Sequence, residues 1–176
     1  YKQKGDLEKA EVIYKRCLKL TGRRLGDEHP QTLTALNNLG MLYLDKGDLD
    51  QAEDLFTRCL DARERLLGAE NSDTLLSLLN LAALHREKDD IDKASSIYRR
   101  ALEVSKFLLG TEHPDTMDTC YKLAECLYQM EEQEEAFALK KEELAWCRRE
   151  KGDQNWSTLI SINSLAIDLR EYGQLK

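Results

Sequence analysis

The chain has 176 residues, 34% of them charged, a formal net charge of -7, two prolines and nine glycines. So few loop-forming residues and so many charges point to a helical chain rather than a loop-rich one, and the acidic balance excludes a phosphate-binding stripe for nucleic acid. No apolar run approaches the roughly 18–20 residues of a membrane span, no leader opens the chain, and no Lys/Arg cluster suits an anionic lipid surface.

Self-similarity organises the whole chain. Ala10, Ala52, Ala94 and Ala136 stand at one constant step (52 − 10 = 42), and so do Leu18, Leu60, Leu102 and Leu144. "LGDEHPQTL" at 25–33 returns as "LGAENSDTL" at 67–75, "LGTEHPDTM" at 109–117 and "KGDQNWSTL" at 151–159. A period held through the chain marks an array of like units. The expected division is a partial repeat over 1–26, repeats over 27–68, 69–110 and 111–152, and a partial repeat over 153–176. Tyr1 is the equivalent of Tyr43 and neither end carries a polar capping helix, so the chain reads as a piece of a longer array.

In chain order, each period begins with a helix, which in the first full unit covers about 31–46. Leu33, Leu36, Leu39, Gly40, Tyr43 and Leu44 fall on one face through steps of three and four. "KGD" at 46–48 is a tight turn in which Gly47 takes the left-handed conformation. Its equivalents are Gly5, Asp89, Glu131 and Gly173; a glutamate resists that geometry, so the turn at Glu131 is expected to differ. A second helix over about 49–67 carries the stripe Leu49, Ala52, Leu55, Phe56, Cys59, Leu60, Leu66 and Leu67. Gly40, Ala82, Ala124 and Ala166 are small where paired helices cross, as are Ala52 and its mates. Tyr14, Phe56 and Tyr98 fill the space between pairs; Lys140 breaks that column, leaving the last interface to Phe137 or Trp146.

The nine-residue motif contains His beside acidic residues, which raises the question of chemistry. Gly26, Gly68, Gly110 and Gly152 suit helix ends, Pro30 and Pro114 suit helix starts, and Asp27 and Glu28 suit a positive helix terminus. His29 and His113 are expected to donate to nearby backbone or pack in the turn. Asn71 and Ser72 replace His-Pro in the second copy, an exchange that capping tolerates and a metal or catalytic site does not. No phosphate loop, dinucleotide fingerprint, zinc-protease motif or nucleophile elbow occurs. The run "EEQEEA" at 131–136 opens a helix and is read as solvated. Cys17, Cys59, Cys120, Cys126 and Cys147 have no metal or disulfide spacing and are read as reduced thiols, with Cys17 and Cys59 in a small buried column. Cys120 and Cys126 could lie near a groove, with nothing to activate them. No enzyme activity, cofactor or metal is expected.

"LNNLGMLYLDKGDLDQAEDLFTRCL" at 36–60 and "LNLAALHREKDDIDKASSIYRRAL" at 79–102 resemble tetratricopeptide repeats. The longer period and the linker resemble the extended subtype found in kinesin light chains, in nephrocystin-3-like proteins and in sensor arms of signalling ATPases. The resemblance implies an all-α fold, a right-handed superhelical solenoid of antiparallel helix pairs, cytoplasmic and non-catalytic. It also implies a concave groove lined by the first helix of each repeat, binding a protein or peptide partner as an adaptor or scaffold. By register the groove set is Thr34, Asn37, Asn38, Met41, Leu76, Asn80, Ala83, Arg86, Asp118, Lys122 and Glu125. Asn38 and Asn80 resemble groove asparagines that grip a peptide backbone, since an amide both donates and accepts; the alternative is that they link adjacent helices. Asp45, Glu87, Asp118, Glu125 and Glu171 outnumber Lys122 and Arg86, which favours a mixed or basic peptide with an apolar anchor near Leu76, Met41 and Ala83. The competing reading is a spacer that self-associates through uncapped ends within a larger motor adaptor or signalling ATPase. Neither nucleic acid nor membrane is expected as a partner.

Overall fold

The computed structural model describes residues 4–174, which form eight α-helices with no strand among the described residues. They are α1 (Lys4–Leu25), α2 (Pro30–Lys46), α3 (Leu49–Leu67), α4 (Ser72–Glu87), α5 (Ile91–Leu109), α6 (Pro114–Gln129), α7 (Gln133–Lys151) and α8 (Trp156–Gln174). The chain divides into two compact units, one ending at Asp89 and one beginning at Asp90. In the first, α1 to α4 each pack on the next and α2 also touches α4; in the second, α5 to α8 pack in sequence.

The linkers show why the helices begin where they do. A helix start leaves backbone N–H groups without partners, so an acceptor side chain at the cap is stabilising. His29 Nδ1 accepts from Gln31 N at 3.2 Å and His113 Nδ1 from Asp115 N at 3.2 Å. Asn71 Oδ1 accepts from Asp73 N at 2.8 Å and Asn155 Oδ1 from Ser157 N at 2.9 Å. The expectation that the histidines donate is therefore corrected. The local shortage is of acceptors, and the imidazole lone pair fills the role that Asn fills in the other two copies.

One residue of each motif does more than the sequence suggested. Thr32, Thr74 and Thr116 are buried, and each donates its hydroxyl to the carbonyl of the glycine six residues earlier, at 2.8 to 2.9 Å. Thr158 turns to Cys147 O at 3.4 Å instead. Gly26, Gly68, Gly110 and Gly152 all have φ between +83° and +95°, a region that glycine occupies without steric cost.

The turns between paired helices correct a second expectation. Gly47 has φ +78°, and Asp89 (+59°) and Glu131 (+64°) adopt the same left-handed geometry. The third turn does not differ. Glu131 N donates to Tyr128 O at 3.2 Å and Glu132 N to Leu127 O at 3.0 Å, closing the helix end that a glycine would otherwise close. Gly5 and Gly173, placed by register at equivalent stops, instead lie within α1 and α8.

Packing in the first unit centres on Phe56, fully buried against Gly40. A Cβ added at Gly40 would stand 2.6 Å from Phe56 Cε1, so the ring fits only because the side chain opposite is hydrogen. Burial of such a ring contributes about 1.5–3 kcal/mol. Ala52, Ala82, Ala94, Ala124 and Ala136 are fully buried as expected, while Ala166 is exposed, no helix following α8 among the described residues. Tyr98 is buried and Tyr14 half-buried; Cys59, Cys120, Cys126 and Cys147 are buried, but Cys17 is exposed, against the expectation for its column.

Candidate functional site

Within the first unit, the register places Thr34, Asn38 and Met41 on the exposed side of α2 and Leu76 on the exposed side of α4. Asn80, Ala83 and Arg86 are half-buried. Asn37 is buried, and its Oδ1 accepts a hydrogen bond from Asn80 Nδ2 at 2.8 Å, joining α2 to α4. Part of the Asn80 amide is thereby engaged inside the protein. Asn38 is free of that link: with Met41, Asp45, Leu7, Ala10 and Tyr14 it lines a recess of about 250 Å3 between α1 and α2. Thr34 donates to Pro30 O of its own helix at 2.9 Å.

Within the second unit, Asp118 and Lys122 form an ion pair at 2.6 Å on exposed and half-buried positions of α6. Glu125 is half-buried and pairs with Lys140 of α7. Lys140 occupies the column of Phe56 and Tyr98, yet is only 3% exposed. Its Nζ also pairs with Asp168 and donates to Ser164 Oγ at 3.0 Å, both on α8, and lies 5.7 and 5.6 Å from the ring centroids of Tyr121 and Tyr128. Burial opposes its charge, but the hydrogen bonds to Asp168 and Glu125 outweigh that penalty and hold the ammonium above its ordinary range. Phe137 fills the apolar part of this interface with Leu144 and Leu165, its ring 5.4 Å from that of Tyr172.

A second polar cluster lies one turn away. Glu143 is 8% exposed; its Oε1 accepts from Ser161 Oγ at 3.0 Å and from Cys147 Sγ at 2.9 Å. Burial and the neighbouring Glu143 push the Cys147 thiol up to about 11, so it stays protonated and unreactive. Burial likewise pushes Cys120 up to about 12.

Sequence reasoning passed over Lys140, Asp168 and Glu143 as functional candidates. The signal was in the columns: Asp168 follows Leu42, Leu84 and Cys126, and Glu143 follows Cys17, Cys59 and Ala101. Three charges enter positions filled elsewhere by uncharged side chains. Among the described residues, no group of three or more His, Cys, Asp and Glu side chains is placed to hold a metal ion, and no helix is long and apolar enough to cross a membrane.

Comparison with known proteins places the architecture. The family model for the tetratricopeptide repeat matches residues 1–65 and 73–145. A kinesin light chain-type protein of Podosopora anserina with nearly identical TPR-like repeats superposes with a TM-score of 0.86 at 22% identity, covering 99% of this chain and 82% of that one. A variant of that same protein gives 0.87 with the same identity and coverage. BtubC (BKLC) from P. vanneervenii gives 0.82 at 20% identity, covering 97% of this chain and 69% of that one. At these identities the likeness is one of fold. No curated protein matches the chain.

Proposed function

Because the chain belongs to the tetratricopeptide repeat family, whose repeats are generally protein-interaction modules, we propose that it is a non-catalytic adaptor that binds a peptide or partner segment along its first helices. Those helices are α2 and α4 in one unit and α6 and α8 in the other. The observation that carries the reading is the recess beside Asn38 and Met41. There an amide able to donate and accept stands next to an exposed thioether side chain and an apolar wall from α1. The amide grips backbone; Met41 and, on α4, Leu76 supply apolar anchorage, each being more than a third exposed. With Asp118 and Glu125 each paired to a lysine, Asp45, Glu87 and Glu171 still outnumber Arg86 on these faces, so the partner carries net positive or mixed charge.

The test is selection of binders from a displayed library of random twelve-residue peptides, followed by replacement of Asn38, Met41 and Leu76 with Ala. The reading expects enriched peptides whose affinity falls at least tenfold in the triple variant. Enriched peptides that bind the triple variant unchanged, or no enrichment at all, would contradict it.

A further inference from the structure

A recess of about 190 Å3 opens in the second unit between α6, α7 and the start of α8, walled by Met117, Tyr121 and Trp146 and floored by Glu143, Ser157 and Ser161. Glu143 Oε2 is buried and has no hydrogen-bond partner. A buried carboxylate oxygen without a donor is costly, and such a group demands an explanation.

The first unit supplies the comparison. Two repeat steps before Glu143 and Cys147 stand Cys59 and Arg63; the same displacement relates Ser77 to Ser161 and Asp73 to Ser157. Arg63 is 3% exposed, and its Nη1 donates to Ser77 Oγ at 2.8 Å and to Asp73 O at 2.9 Å. That unit therefore fills this place with its own guanidinium beside a neutral thiol. In the second unit the arginine column holds Cys147, the thiol column holds the carboxylate of Glu143, and the guanidinium position opens into a recess. The buried arginine has been removed and a carboxylate added at the same place, while Lys151 of α7 lines the recess beside Trp146.

We propose that this recess receives the arginine side chain of a partner peptide, the guanidinium occupying by register the place that Arg63 fills in the first unit. The inference rests on the peptide-binding reading above and names the side chain this site selects. Planar, weakly hydrated and rich in donors, a guanidinium stacks on aromatic rings and satisfies Glu143 Oε2 once that shielded carboxylate turns to the recess; the Ser157 carbonyl already accepts from Ser161 Oγ at 3.1 Å. Tyr121 and Trp146 provide those rings. Lys151 Nζ already lies 4.9 Å from the Trp146 ring centroid, so one face of the indole carries an internal cation and the recess draws on the rest of the wall. Asp118 at the rim is paired with Lys122 and adds little charge of its own.

The experiment compares two acetylated, amidated pentapeptides, Ser-Leu-Arg-Leu-Ser and its counterpart with citrulline for arginine, which keeps the shape and loses the charge. Amide and indole NMR shifts of the full chain are followed during titration. The arginine peptide is expected to shift the Trp146 indole and the amides of Ser157 and Ser161, binding at least tenfold more tightly than the citrulline peptide. In Glu143→Gln, which keeps an acceptor for Ser161, that preference is expected to fall below threefold. In Cys147→Arg, which writes the arrangement of the first unit into the second, arginine-peptide binding is expected to vanish. Equal binding of both peptides overturns the arginine assignment while leaving peptide binding intact, as does a preference that survives in Glu143→Gln. Absence of any shift at Trp146 overturns the site itself, and failure of the library selection would separately sink the wider reading.

Discussion

Phe56 in the first unit and Lys140 in the second occupy one position of the repeat, two periods apart, and both are withdrawn from water. Around Phe56 the solution is dry: an aromatic ring against Gly40, with no room for a methyl group. Around Lys140 it is ionic, with Glu125 and Asp168 closing on the ammonium and Phe137 moved in from a neighbouring position to supply apolar area. A repeat position thus specifies burial and volume, and the chemistry that fills it is negotiable if the neighbours change together. Asp168, standing in the column of Leu42 and Leu84, is that accompanying change.

The comparison can be broken most severely at its dry end. Phe56→Ala should destabilise the first unit by about 4 kcal/mol through lost transfer and cavity terms, read from urea unfolding; a loss under about 1 kcal/mol would mean the ring is not central. Lys140→Met should cost roughly 3 kcal/mol, because the buried Asp168 and the half-buried Glu125 lose their shared cation. The double variant Lys140→Phe with Asp168→Leu, which restores both columns, should regain most of that loss. If it is no more stable than Lys140→Met, the columns are not interchangeable and the comparison fails.

Alkali sharpens the same contrast. The folded-state pKa of Lys140 is raised above the ordinary lysine value of 10.5. The stabilisation it gives is therefore complete below about pH 10.5 and lost as pH rises through the higher folded value. Wild type should lose stability faster than the Lys140→Phe, Asp168→Leu variant across that window, measured by chemical unfolding at stepped pH. Parallel losses in the two proteins would remove the ion pair from the account.

The smallest effect lies in the linkers. His113→Ala should cost about 1 kcal/mol, the usual worth of a helix cap. His113→Asn should stay within about 0.5 kcal/mol of wild type, because Asn71 and Asn155 already cap in this way. Thermal unfolding distinguishes the two, and equal losses would show that His113 does something other than cap.

These positions also show how far the sequence could be read. The bounds of α3, the left-handed Gly47 and the role of the glycine-proline motif were legible because helix periodicity, glycine stops and proline starts are local rules. The direction of the histidine hydrogen bond was not, since residue type alone leaves an imidazole free to donate or accept. Glu131 was misjudged because propensity disfavours a left-handed glutamate, while closure of α6 outweighs that modest cost. At the candidate site, the outward places of Asn38, Met41 and Leu76 followed from register. The Asn37–Asn80 bond and the Lys140 and Glu143 clusters did not, because each joins residues on different helices whose meeting depends on tertiary packing.

The most direct test of the claim that the first helices carry the function is chemical-shift mapping of the full chain with a peptide taken from the library selection. The account predicts the largest amide shifts on α2 and α4 around Asn38, Met41 and Asn80, or on α6 and α8 around Tyr121 and Ser161. Shifts confined to the outward faces of α3, α5 and α7, at residues such as Arg58, Glu103 and Glu142, would contradict it.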